Sequence, residues 1–137
     1  MNHVRQPRNS NLCGQTSTAM VIGVSLEESI GLFGSRGKTA TRQLVAVLRS
    51  RGFVVPDRLV RFTSFDEIPT LCLLHSVSVR RSRGYPDWKH WMVWAEGRVW
   101  DPLGNPAGDP PSLYATSSMV RVTSYLPVTR PADLATG

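Results

Sequence analysis

Cys13 opens the stretch CGQTSTAMVIGV, which fits a buried helix, and polar loop residues 1 to 11 precede it. At a helix N-terminus the positive end of the backbone dipole favours a thiolate over a thiol. The first-turn amides have no partner inside the helix, so the Cys13 N–H could serve an oxyanion. Gly14 removes a side chain next to the sulfur and would let a substrate backbone approach. A thiolate nucleophile needs a base to exchange protons and a group to orient that base. The segment WKHWMVWAEGRVWDPLGN, read as a β-hairpin turning at Glu96-Gly97, offers both in His90 and Asp101. With a two- or four-residue loop, Ala95 faces Arg98, Trp94 faces Val99 and Met92 faces Asp101. His90 and Asp101 then become diagonal neighbours on one face, and a carboxylate there would fix the imidazole tautomer. A three-residue loop would turn one strand over and separate them.

These groups need elements to hold them. Asn11 is the expected N-cap of the Cys13 helix and Gly23 its stop. Ser25 and Glu28 have capping-box spacing, so SLEESIGLFG reads as a second helix. A third starts at Thr39 or Thr41, carries the stripe Leu44, Val45, Val47 and Leu48, and ends at Gly52. FVVPDRLVRF reads as a link or edge strand because proline interrupts it. LCLLHSVSVR and MVRVTSYLPV read as strands. RSRGYPD and residues 103 to 113 read as loops, and residues 1 to 5 and 129 to 137 as loose ends. Helices first and strands later make an α+β domain, and 137 residues suffice for one core.

Taken together, NLCGQTSTAMVIGVSLEESIGLFG, the threonine-started helix ending at Gly52 and KHWMVWAEGRVWDPLGN resemble a minimal papain-like cysteine peptidase. The nearest branch is the bacteriocin-processing (double-glycine) peptidase-like group of bacteria and phages, and the resemblance spans about residues 6 to 103. It implies a Cys-bearing helix packed on a small antiparallel sheet that carries the histidine. It also implies a protein or peptide substrate, and hydrolysis of a peptide or isopeptide bond without a cofactor. In that pattern Cys13 matches the nucleophile, His90 the base, Asp101 the orienting acid and Gln6 the oxyanion glutamine. Gln15, in the first helical turn, is the alternative donor. The chain is shorter than two-lobed members of the family, so a full substrate-binding lobe is not expected.

Composition narrows the classes. No apolar run reaches the roughly 20 residues of a membrane span, and the N-terminus has no apolar stretch of a signal peptide. Cys13 and Cys72 are expected as free thiols in a reducing cytoplasm, and no cysteine–histidine spacing suggests a metal. The net charge of +6 is spread thinly apart from Arg80, Arg81 and Arg83, and without a recognisable module nucleic acid is not the expected partner. Cys72, flanked by leucines, reads as a buried hydrophobe. His75 reads as a packed histidine, though its strand could line the cleft and make it a rival to His90. Asn105 is an alternative orienting residue, and Trp91 could shield the Cys–His pair from water. The competing functional class is a peptidase-like scaffold that binds a partner without cutting it. Oligomeric state is not readable from the sequence.

Overall fold

A computed structural model describes residues 1–78, 89–116 and 120–134 of the chain. The RSRGYPD loop and the arginine cluster therefore lie outside the described residues. Three helices come first: α1 (Cys13–Ile22), α2 (Leu26–Phe33) and α3 (Thr41–Ser50). Five strands follow: β1 (Val60–Arg61), β2 (Leu71–Ser78), β3 (Lys89–Ala95), β4 (Arg98–Trp100) and β5 (Val120–Pro127). The short α4 (Ser112–Thr116) and the single turn α5 (Pro131–Leu134) complete the α+β arrangement.

The helix ends follow local chemistry. Gly23 and Gly34 take the left-handed conformation that closes α1 and α2, at φ 84° and 69°. Ser25 Oγ accepts from the Glu28 N–H at 3.1 Å and caps α2. One helix start differs from expectation, while α3 begins at Thr41, one of the two expected starts. The N-cap of α1 is Leu12 rather than Asn11, with no side-chain cap. The Leu12 carbonyl accepts the Thr16 N–H at 2.8 Å, and Thr16 Oγ1 donates a second bond to it at 2.7 Å. At α3 the N-cap is Ala40, and Gln43 Oε1 reaches back to accept its N–H at 2.6 Å.

All five strands form one antiparallel sheet in the order β1-β5-β2-β3-β4. The proline-interrupted segment supplies β1, an edge strand of two residues. The hairpin has the two-residue loop: Ala95 pairs with Arg98 and Trp94 with Val99, while Glu96 and Gly97 take φ 56° and 70°. Two positive φ values in succession are what a type I′ turn requires. Residues 103 to 113 are not wholly loop, since Asp109 pairs with Val99 and α4 begins at Ser112.

Strand alternation splits the core in two. On one face Leu71, Leu73, Trp91, Val93, Ala95 and Leu126 meet Met20 and Val21 of α1 and Leu44, Val45 and Leu48 of α3. On the other, Cys72, Leu74, Met92, Trp94, Val99 and Val122 are covered by Phe62, Phe65, Ile68 and Tyr114. The termini are better tied than composition suggests. The Met1 ammonium pairs with Glu96 at 2.6 Å, the His3 ring meets the Asp101 carbonyl at 2.7 Å, and Thr129 bridges Val54.

Helix α1 is buried from Gly14 to Val21, and its small residues let it lie close to its neighbours. A Cβ on Gly14 would fall inside the Thr39 hydroxyl. The space this glycine leaves is thus taken by Thr39 and is not an approach for substrate. Gly14→Ala is expected to destabilise the fold by about 1–3 kcal/mol through overpacking. Thermal denaturation checks this, and Thr39→Gly in the same chain should recover part of the loss.

Candidate active site

The site is assembled where the N-terminus of α1 meets the outer edge of β3. Strand β4 pairs only with Val93 to Ala95, so the Trp91 N–H has no β4 partner and points instead at the Cys13 sulfur. By alternation Trp91 faces α1, while His90 shares its face with Met92 and Trp94. His90 therefore approaches the sulfur around the strand edge from the opposite side.

His90 is 1% exposed and its Nε2–H donates to Asp101 Oδ1 at 2.7 Å. A carboxylate only accepts, so this bond fixes the Nε2 proton and leaves Nδ1 to face Cys13. The hairpin register expected from sequence is the one that brings this pair together. Asp101 is itself held: Oδ1 also accepts the Leu103 N–H at 2.9 Å, and Oδ2 accepts the Tyr114 hydroxyl at 2.7 Å.

The electrostatics follow from these contacts. Burial pushes the Cys13 thiol up, but the His90 hydrogen bond and charge, with the Trp91 and Gly14 N–H groups, outweigh it and bring the thiol below its ordinary value. Burial pulls His90 down, yet Asp101 on one side and Cys13 on the other raise it to about 9. Burial likewise raises Asp101, and His90, the Leu103 N–H and Tyr114 together lower it. These directions favour a thiolate–imidazolium pair backed by a carboxylate. Cys72, with burial alone acting on it, is pushed up to about 12. Both cysteines are free thiols.

The two glutamines differ. Gln15 is fully buried, and its amide donates to the Ser35 and Gly37 carbonyls at 3.0 and 2.8 Å. Both of its protons tie α1 to the loop after α2, so Gln15 is no oxyanion donor in this arrangement. Gln6 is buried beside the Asp101-Pro102 turn, where its backbone N–H donates to the Pro102 carbonyl at 3.0 Å. Its side-chain amide points at Ser10, 3.1 Å from the carbonyl and 3.3 Å from Oγ.

Other residues are sorted by the same geometry. His75 pairs with Trp91 in register, on the face opposite His90, and packs edge-on to the Trp91 ring at 4.8 Å. It takes no part in the Cys–His–Asp chain. Asn105 donates to Asp109 Oδ1 at 3.0 Å and not to the imidazole. The Trp91 ring lies in the helix-side core, and what it gives the site is its backbone N–H.

Tyr114 and Asp109 had no signal in the sequence. The Tyr114 hydroxyl lies 2.7 Å from Asp101 Oδ2 and 2.8 Å from Asp109 Oδ2. A phenol has one proton, so it donates to one of these carboxyl groups at a time. Gly104 makes the cluster possible, since a Cβ there would strike Asp109 Oδ2 and stand 2.8 Å from Asp101 Cβ. No protein-family model matches this chain, and no curated protein matches it. No helix among the described residues is long and apolar enough to cross a membrane.

Proposed function

We propose that the chain is a papain-like cysteine hydrolase that cleaves a peptide or isopeptide bond with Cys13, His90 and Asp101. The observation that carries this reading is His90, buried between Cys13 and Asp101, with its proton affinity raised and that of the thiol lowered. The Cys13 thiolate attacks the carbonyl carbon and the carbonyl π electrons move to oxygen. That oxyanion is met by the Cys13 amide of the first helical turn, and by Gln6 once its amide turns from Ser10. As the tetrahedral adduct collapses, the C–N bond breaks and the imidazolium gives its proton to the leaving amine. Neutral His90 then takes a proton from water, whose oxygen attacks the thioester. The acid is released and the thiolate–imidazolium pair is restored. Asp101 keeps the ring oriented throughout. A reducing compartment such as the cytoplasm suits two free thiols.

The test is a thiol-directed peptidyl epoxide, with adducts located by mass spectrometry. The expected result is a single adduct on Cys13 with Cys72 unmodified, and none in Cys13→Ala. Labelling of both cysteines at the same slow rate would leave only a scaffold that binds without cutting.

A further inference from the structure

Helix α1 covers only part of its face of the sheet. Its C-terminal half shares a cavity of about 460 Å³ with Met1 and Val4, and the Met1 ammonium pairs with Glu96 in the hairpin turn. Its N-terminus, at Cys13, stands over Trp91. The helix therefore runs alongside β3 and stops short of the end where β3 begins. Beyond Cys13 the same face continues for two cross-strand rows. In the nearer row His75 lies between Trp91 and Ser124, and in the farther one Val77 lies between Lys89 and Arg121. Direct cross-strand partners share a face, so these residues look out on the side from which Cys13 approaches.

The chemistry of this surface is one-sided. Lys89 and Arg121 are exposed, while His75 and Val77 are half-buried. The ion pairs among the described residues join Met1 to Glu96, Arg36 to Glu27, Arg49 to Asp57 and His90 to Asp101. None uses Lys89 or Arg121. Burial, with Lys89 nearby, holds His75 below its ordinary value, which keeps the ring neutral and able to pack. A half-buried floor between two cations that form no ion pair among the described residues, next to a nucleophile, suits an extended chain carrying carboxylates.

Resting on the hydrolase reading of Cys13, we infer that this sheet face binds the substrate chain beside its scissile bond and selects acidic side chains through Lys89 and Arg121. The occupant is an extended acidic peptide segment, with apolar or small side chains on His75 and Val77. Each exposed cation contributes up to about fivefold in affinity, and the preference fades as salt screens it.

The experiment is protection of Cys13 from iodoacetamide by three acetylated peptides of equal length, one of Glu and Ala, one of Gln and Ala, one of Lys and Ala. Protection by the Glu peptide at the lowest concentration and by the Lys peptide at the highest is expected. That order should collapse in Lys89→Gln/Arg121→Gln, reverse in Lys89→Glu/Arg121→Glu, and weaken with added sodium chloride in the unaltered protein. Equal protection by all three peptides, no protection by any, or an order unchanged in both variants would overturn the inference. Failure of the hydrolase reading shows separately: Cys13 then alkylates as slowly as an ordinary thiol at neutral pH, whatever the peptide order.

Discussion

Cys13 is expected to react with iodoacetamide well below the pH at which an ordinary thiol does, and His90→Ala is expected to abolish that advantage. The direction follows from opposing contributions at one sulfur. Burial raises the thiol and is the largest single influence, but His90 reverses it through a hydrogen bond and its charge. Once the imidazole is gone, burial is opposed only by the Trp91 and Gly14 N–H groups. The labelling curve should then move up past the ordinary thiol value of about 8.5. Cys72, at about 12, stays unlabelled at neutral pH and reports any unfolding. Hydrolysis differs from alkylation at the alkaline end. Its leaving amine needs the His90 proton, so peptide cleavage should fall as pH rises through about 9 while alkylation does not. His90→Ala should lower cleavage by about 10²- to 10⁴-fold, the range of a lost general acid–base. Stability carries the same signature. The contribution of protonated His90 is fully present below its unfolded value of 6.5 and is lost as pH rises through about 9. A labelling curve identical in the unaltered protein and His90→Ala would dissolve the pair.

Tyr114→Phe should be the most damaging change outside the Cys–His–Asp set, although it keeps the shape of the ring. It removes the one donor that serves Asp101 Oδ2 and Asp109 Oδ2. Leaving the partly buried Asp101 carboxylate short of a hydrogen bond costs about 1–3 kcal/mol. The pH dependence distinguishes this from packing. Asp101 is held below its ordinary 3.8, so the stability it contributes is present above that value and lost as pH falls through the lowered one. Without the phenol Asp101 rises, and the acid limb of both stability and Cys13 labelling should shift to higher pH. Equal destabilisation at every pH would show that Tyr114 only fills space.

What could be read from sequence is what is decided locally. Gly23, Ser25 and the Glu96-Gly97 turn set helix ends and a hairpin within a few residues of themselves. The turn then carried the His90–Asp101 register, because a two-residue loop allows no other pairing. Asn11 is not the cap because α1 starts one residue later, the Leu12 carbonyl taking the first helical bond from the Thr16 N–H, a one-residue boundary that residue preferences do not resolve. The Trp91 N–H and the Tyr114 hydroxyl were not legible for a different reason. One is a donor that the shortness of β4 frees, the other a side chain delivered from α4 across the 101–109 turn. Both depend on where distant segments come to rest. The role of Gln15 was equally hidden, since its acceptors, Ser35 and Gly37, lie in the loop beyond the next helix.

The place of β5 between β1 and β2 matters for how the protein is born. A nascent chain emits α1, the helices and the β3–β4 hairpin while residues 120–127 are still in the ribosome. Until they emerge, the hydrogen-bonding edge of β2 that β5 will fill stays open, and the sheet that carries His90 is incomplete on that side. Residue 114, which steadies Asp101, also leaves late. On the hydrolase reading, the nucleophile is thus made first and its support completed last, which guards an unfinished chain against cutting itself or its neighbours.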